Sequence, residues 1–297
     1  MKKFLILVLT VLMVLSWVAV STAAVTIGGL ARFQWIDDST INDSYKDDQI
    51  RVNFDSDVNE FVSSHAQLRV KRDNAPFLWD YYVALKPSFG TVKIGQWEND
   101  FFGDVDPLSQ WKTDEFTDTL WYTQWAVQFA PKLGGGFSAA IWYNPADDHA
   151  SYVSKGGNAV SVGKNAYTVS VAYAKDALAL EAAVGDVGEI SGEKYDSITL
   201  FNASYTVSAF KFFLHYGQTG KDNPWLSGTE QKNEIVGVKY RLPDTGFAAQ
   251  AEYDLAPDED NPAGLGLYYT ANGVGYTYYY VTKGDDTYQQ ARIQINF

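Results

Sequence analysis

Charged side chains form two patterns in this sequence, and neither has the spacing of a catalytic site. Residues 97–122 carry seven carboxylates against the single base Lys112. Because walls of like charge set the ion preference of a pore, the chemistry that such a cluster offers is electrostatic: it attracts cations and repels anions. The acids are Glu98, Asp100, Asp104, Asp106, Asp114, Glu115 and Asp118.

Basic residues form the second pattern, in segments such as "LARFQW", "QIRVNF", "QLRVK" and "TVKIG". In each segment a base alternates with apolar neighbours. A period of two places alternate side chains on opposite faces of a β-strand, so the bases share one face and the apolar residues share the other. The predicted basic wall consists of Arg32, Arg51, Arg69, Lys71 and Lys93.

The same period of two recurs in sixteen segments between residues 25 and 297. The last segment, "ARIQINF", places Ile293 and Ile295 on one face and Arg292 and Gln294 on the other. The connections alternate between tight turns, such as "DSDVNE", and long acidic loops. This alternation is typical of an antiparallel up-and-down meander.

The number of strands decides which solvent each face meets. About eight strands already fill the interior of a barrel with side chains, so sixteen enclose an aqueous lumen, with the polar face inward and the apolar face against lipid. Unpaired strand edges are excluded from hydrocarbon, so the last strand must pair with the first. Aromatic residues near strand ends predict girdles at the membrane interfaces: Trp35, Trp79, Trp97, Trp121, Trp125, Tyr143, Tyr173, Tyr205, Tyr253 and Tyr280.

The amino-terminal stretch predicts an export signal. Lys2 and Lys3 precede an apolar core, and small residues at positions 21–24 offer a cleavage site. We therefore expect a signal peptide at residues 1–24 and a single barrel domain at residues 25–297. The formal net charge of −13 does not suit a nucleic-acid partner, whose phosphates bind basic proteins. The absence of Cys excludes a disulfide framework.

Several segments resemble the Gram-negative general porins: "YYVALKPSFGTVKIGQ", "WAVQFAPKLGGGFSAAIWY" and "NASYTVSAFKFFLHYGQTG". The resemblance implies an all-β transmembrane barrel of about 16 strands in the cell outer membrane, in contact with outer-membrane lipid and assembled as a homotrimer. Residues 72–75, "RDNA", are short where the corresponding loop of porin trimers commonly reaches the neighbouring subunit. The terminal Phe297 is similar to the signal that the barrel-assembly machinery reads in this family.

In porins the third external loop folds into the lumen and narrows it. The resemblance therefore implies that the acids of residues 97–122 form a constriction opposite the basic wall. The predicted function is passive diffusion of small hydrophilic solutes and ions, with a modest preference for cations. A substrate-selective carbohydrate channel is the alternative, because several residues of this loop offer rings on which sugars stack: Trp97, Phe101, Phe102, Trp111 and Phe116.

Other constellations are weaker. A barrel enzyme needs a nucleophile and a base held by an orienting group, and no Ser–His pair is convincing, so no enzymatic activity is expected. Asp254, Asp258, Glu259 and Asp260 offer oxygen ligands for calcium, but they lack the EF-hand spacing, which favours a solvated loop. No cofactor and no metal site is predicted.

Overall fold

Alternating apolar and polar residues build an all-β structure. The computed structural model describes residues 24–39, 43–46, 48–71, 76–98, 108, 122–144, 150–153, 159–162, 165–186, 189–190, 193–194, 197–219, 231–256 and 261–297. A search of these residues found no helix with the length and hydropathy needed to cross a membrane.

The strands follow one another along the chain, separated by turns and longer connections. The first eleven are β1 (Val25–Asp38), β2 (Asp43–Lys46), β3 (Gln49–Asn59), β4 (Val62–Lys71), β5 (Phe77–Leu85), β6 (Gly90–Glu98), β7 (Tyr122–Pro131), β8 (Phe137–Tyr143), β9 (Ala150–Val153), β10 (Ala159–Val162) and β11 (Tyr167–Lys175). The rest are β12 (Leu178–Asp186), β13 (Glu189–Ile190), β14 (Glu193–Lys194), β15 (Ile198–Val207), β16 (Phe210–Thr219), β17 (Gln231–Arg241), β18 (Phe247–Asp254), β19 (Ala263–Ala271), β20 (Val274–Lys283) and β21 (Asp286–Asn296).

Sixteen of these strands close into one antiparallel barrel, which confirms the predicted number and topology. Each barrel strand pairs with the barrel strand that follows it, and β21 returns to pair with β1 from Leu30↔Asn296 to Asp38↔Tyr288. The short strand β2 continues the line of β3 along β1. The hairpins β9–β10 and β13–β14 form separate two-stranded sheets.

Phe297 takes part in the seam between β21 and β1. The Gly29 N–H donates to the carbonyl oxygen of Phe297 at 2.8 Å, and the Phe297 N–H donates to the carbonyl oxygen of Gly29 at 3.0 Å. A Cβ atom at position 29 would stand 2.9 Å from Cζ of the Phe297 ring and 2.1 Å from the carbonyl oxygen of Arg51. The seam therefore requires glycine at this position.

The outer face of the barrel is apolar, as expected for a surface in lipid. Val83 and Val127, which lie on the apolar face of β5 and β7, are each 37% exposed. Of the predicted girdle aromatics, several are exposed on this face, while Trp121 and the side chain of Trp125 lie outside the described residues. The exposed ones are Trp35, Tyr143, Tyr205, Tyr253 and Tyr280.

Tight turns join successive strands at one rim. Two-residue turns connect β11 to β12, β15 to β16, and β19 to β20. Their first residues, Asp176, Ser208 and Asn272, have φ angles of 54°, 54° and 51°, the left-handed conformation that two-residue hairpin turns require. One predicted turn was placed too early, because residues 55–59 of "DSDVNE" extend β3 and the chain reverses at Glu60 and Phe61.

Candidate pore lining

Four neighbouring strands, β21, β1, β3 and β4, each carry one arginine on the inner face. Arg51 lies directly opposite Arg69 in the β3–β4 pairing, and Arg32 and Arg292 lie on the adjacent pair β1–β21. The sequence predicts three of these residues as part of the basic wall, and the structure adds Arg292 beside them. We call Arg32, Arg51, Arg69 and Arg292 the arginine arc.

Each guanidinium of the arginine arc donates to a glutamine side chain. An amide oxygen is a neutral acceptor, so this contact orients the guanidinium without cancelling its charge. Arg32, Arg51 and Arg292 are half-buried, and Arg69 is buried. The contacts are Arg32 Nε and Nη2 to Gln294 Oε1 at 3.3 and 3.2 Å, Arg51 Nε to Gln49 Oε1 at 2.9 Å, Arg69 Nη2 to Gln67 Oε1 at 3.3 Å, and Arg292 Nε to Gln34 Oε1 at 3.0 Å.

Lys71 and Lys93 also lie on the inner face. Lys71 is opposite Gln49 in the β3–β4 pairing. Lys93 Nζ lies 4.3 Å from the ring centroid of Tyr82 and 4.7 Å from that of Trp97, so two aromatic faces attract this ammonium group. All five predicted basic residues therefore line the lumen side of one wall; their role in ion passage stays a prediction.

Trp79 and Trp97 face inward, which corrects their assignment to the outer girdle. The β4–β5 register shifts beside Leu68 so that Trp79 is skipped, and the β6–β7 register shifts between Gly95 and Trp97. A β-bulge re-aims the side chains that follow it. As a result, Arg69 Cζ lies 3.8 Å from the centroid of the Trp79 ring. Trp97 lies four residues after the inward-facing Lys93, so alternation already places it on the inner face, where it is 3% exposed.

Most of the predicted acidic constriction lies outside the described residues. This holds for Asp100, Asp104, Asp106, Asp114, Glu115 and Asp118, and for the side chain of Glu98, whose backbone ends β6 opposite Tyr122. Leu108 is described, and it is buried among inward-facing residues of β1, β16, β17, β20 and β21. The arrangement of the acids therefore stays a prediction.

Strands β12 and β18 carry three inward carboxylates that sequence reasoning missed as wall residues. We call Glu181, Glu252 and Asp254 the acidic wall. Asp254 is 1% exposed, and its Oδ1 accepts the backbone N–H groups of Glu234 at 3.0 Å and Ala256 at 2.9 Å. Asp254 is thus a buried backbone acceptor and not part of a solvated loop.

Glu181 begins a chain of side-chain hydrogen bonds along three adjacent strands. Its Oε2 accepts the amide Nδ2 of Asn202 at 3.1 Å, and Asn202 Oδ1 contacts Nδ1 of His215. His65 and His215 both face inward, and His65 Nδ1 lies 2.6 Å from Asp55 Oδ1. In the part of the chain that the structure describes, no group of three or more His, Cys, Asp or Glu side chains is placed to hold a metal ion.

A closed sixteen-stranded barrel with an apolar outer face and a charged inner face defines a transmembrane β-barrel channel. The family model of the Gram-negative porins matches residues 8–292. The chain belongs to the Gram-negative porin family, whose members are outer-membrane channels and not enzymes. The family resemblance inferred from the strand and turn motifs is thereby confirmed, as is the expectation of no enzymatic activity.

Solved structures share this fold at low sequence identity. Salmonella typhi OmpF in complex with daunomycin superposes with a TM-score of 0.69 and 16% identity, covering 92% of this chain and 97% of that chain. A mutant of the Rh. blastica porin gives a TM-score of 0.68 and 14% identity, covering 92% and 100%. A search of the curated proteins gave no match.

Proposed function

We propose that this porin is a passive diffusion channel for small hydrophilic solutes and ions in the outer membrane. The observation that carries the proposal is the division of the barrel wall into an apolar outer face and an inner face of arginine, lysine, glutamine and carboxylate side chains. Such a lumen holds water, and a solute that fits crosses it without a binding step.

We also propose a modest preference for cations. The formal net charge is −13, and the proposed constriction holds seven acids against Lys112. Charge in a narrow channel with low-dielectric walls is poorly screened, so such a segment concentrates cations. The arginine arc and Lys93 oppose this effect, which is why the proposed preference is modest.

The test is the reversal potential of the purified channel in a planar bilayer across a KCl gradient. We expect a potential of the sign that potassium selectivity gives. The preference should fade at high salt, because the Debye length falls from about 10 Å at 0.1 M to about 3 Å at 1 M. Neutralising four loop acids together should move the potential toward zero: Asp104→Asn, Asp106→Asn, Asp114→Asn and Glu115→Gln.

A matched control removes the same charge from exposed positions at the tight-turn rim. We expect the quadruple variant Asp57→Asn, Glu60→Gln, Asp176→Asn and Asp244→Asn to shift the reversal potential less than the loop variant does. A wild-type channel that selects chloride would refute the cation preference. Equal shifts for the two quadruple variants would refute the loop as the selective element.

A carbohydrate channel is the second candidate, and inward aromatic rings favour it. Tyr82 stacks on His65 with ring centroids 5.0 Å apart and meets Trp97 edge to face at 6.0 Å. Burial of Trp97 at 3% exposure argues that these rings pack within the wall more than they offer an open platform. Saturable block of single-channel current by an oligosaccharide would favour this candidate; unsaturated current favours passive diffusion.

Export and assembly complete the proposal. We propose that residues 1–24 are removed as a signal peptide, that the barrel-assembly machinery recognises Phe297, and that the channel forms a homotrimer. Three measurements test these points separately: amino-terminal sequencing of the mature protein, the yield of folded barrel for Phe297→Ala, and the native mass in detergent. A mature chain that begins at Met1, an unchanged yield, or a monomeric mass would refute the respective point.

A further inference from the structure

A recess of about 230 Å³ opens on the inner face of the barrel, at strands β11, β12, β15 and β16. The inward side chains at its centre are short: Ala174 pairs with Ala179, and Ala179 pairs with Ser204. Phe213, opposite Ser204 on β16, is buried and ends this row. We call the hollow bounded by these four residues, Glu181 and Lys211 the Ala179 recess. Its size suits a small polar solute, since pockets for drug-sized ligands are larger.

A carboxylate borders the recess on the side away from the tight-turn rim. Glu181 follows Ala179 by two residues on β12, so both side chains face the lumen. The Glu181 carboxylate accepts the side-chain amide of Asn202 at 3.1 Å. Because Asn202 is neutral, this contact orients the carboxylate without cancelling its charge. Glu181 is half-buried, unlike the two buried members of the acidic wall, so its charge acts on solutes in the lumen.

An ammonium group borders the recess on the opposite side, toward the tight-turn rim. Lys211 precedes Phe213 by two residues on β16 and is half-buried on the inner face. The register places Lys211 opposite Thr206, four residues along β15 from Asn202, the partner of Glu181. At about 3.3 Å per residue, the backbones of these two rows are about 13 Å apart. The row of short side chains lies between them, and both charged side chains line the hollow.

We infer that the Ala179 recess binds zwitterionic solutes, such as free amino acids, while they cross the channel. A solute with a single charge is attracted by one of the two charged groups and repelled by the other. A zwitterion places its ammonium group against Glu181 and its carboxylate against Lys211, so both charge-assisted contacts are favourable. Ser204, in the row between them, offers a neutral hydroxyl group. The inference rests on the proposed function, because a solute reaches the recess through a water-filled lumen.

The experiment measures the block of single-channel current in a planar bilayer at neutral pH by solutes of similar size. L-Glutamine carries both charges, 4-aminobutanamide carries only the ammonium group, and glutaramate carries only the carboxylate. We expect L-glutamine to reduce the current saturably. The half-blocking concentration of each single-charge analogue should be at least about tenfold higher, because a hydrogen bond to a charged group changes affinity by about that factor or more.

Two variants assign the charges to the two ends of the solute. Glu181→Gln should make glutaramate as effective a blocker as L-glutamine, and Lys211→Met should do the same for 4-aminobutanamide. A merely structural role of either side chain would not erase one of these differences selectively. Ala179→Leu fills the recess without changing its charge and should abolish the saturable block. Lys175→Met, the matched control, removes a positive charge from an exposed position at the tight-turn rim and should leave the block unchanged.

Heat-modifiable migration on SDS gels confirms that each variant barrel is folded; if Ala179→Leu fails to fold, Ala174→Leu takes its place. Equal half-blocking concentrations for the three solutes, or equal effects of Lys211→Met and Lys175→Met, would overturn the inference. Block that depends on both charges in a channel without cation preference would uphold the recess and refute the proposed selectivity. A barrel that does not conduct would refute the proposed function, and titration calorimetry of the same solutes and variants in detergent would then decide the inference.

Discussion

The arginine arc and the acidic wall face the same lumen, but their charged groups have different roles. The guanidiniums of the arc donate to neutral glutamine oxygens, and three of the four stay half-buried. On the acidic wall, Asp254 and Glu252 are 1% and 4% exposed and accept backbone N–H groups. A charge on the inner face is therefore not automatically a charge that ions in transit meet, because burial and the choice of partner decide between a structural and an electrostatic role.

The largest expected effect is on stability at the acidic wall. Asp254→Ala removes the acceptor of two backbone N–H groups, those of Glu234 and Ala256. Each hydrogen bond to a charged group contributes about 1.5–3 kcal/mol, so we expect unfolding in urea to become easier by about 3 kcal/mol or more. Asp254→Asn keeps an acceptor oxygen and should lose less. Equal stability of the alanine variant and the wild type would break the contrast between the two walls.

The second prediction concerns which face of the barrel tolerates an arginine side chain. Val127→Arg places a guanidinium on the lipid face and should cost about 2–4 kcal/mol of unfolding free energy if it lies at the membrane midplane. Gln128→Arg, one residue further along β7, places the same group on the lumen face and should cost far less. Unfolding in lipid bilayers measures both. Equal costs would mean that the two faces are assigned wrongly.

The third prediction concerns ion flow. The double variant Arg32→Gln and Arg51→Gln removes two half-buried positive charges from the arginine arc. We expect a higher permeability ratio of potassium to chloride, since the lumen loses groups that attract anions. Glu181→Gln should shift the ratio the other way. A double variant with the reversal potential of the wild type would remove the arginine arc from the ion path.

The smallest expected effect lies at Lys93, which sits beside the rings of Tyr82 and Trp97. Tyr82→Leu removes one of these rings together with its contacts to His65 and Trp97, and we expect a loss of at least about 0.5–1 kcal/mol in the free energy of unfolding. Tyr82→Phe keeps the ring and serves as the matched control, with no loss expected. A comparable loss in both variants would assign the effect to the hydroxyl group and not to the ring and its contacts.

Strand number, strand faces and the arginine arc could be predicted because a period of two is a local property of the sequence. The same rule fails at Trp79, where a bulge shifts the register and only the partner strand reveals the shift. The buried cluster around Leu108 escapes prediction for a different reason: its other members come from five strands and meet only when the barrel closes. They are Ile36, Phe213, Ile235, Val281 and Tyr288. The available signal was an apolar residue on a polar face, such as Ile235 between Asn233 and Gly237.

The predicted acids of residues 97–122 show a second limit of prediction from sequence. Their number follows from composition, but the direction in which each side chain points depends on how a long connection packs against walls far away in sequence. Leu108 and Glu252, 144 residues apart, illustrate that dependence. When distant side chains set the position of a loop, the sequence of the loop itself contains little information about that position.

The two-residue turns at one rim have a consequence for how the protein can change in length. Each turn holds its pair of strands in a fixed register, and a slip of one residue would exchange the lipid face with the lumen face. A single insertion beside Asp176 or Ser208 would therefore point valines at water and polar groups at hydrocarbon. Most connections at the opposite rim are longer, so an insertion there lengthens a loop and leaves the strand registers intact; the two-residue turn between β20 and β21 is an exception. The rim with the longer connections is therefore the place where an epitope or an affinity tag can be inserted. Insertions and deletions during evolution should be tolerated at the same rim.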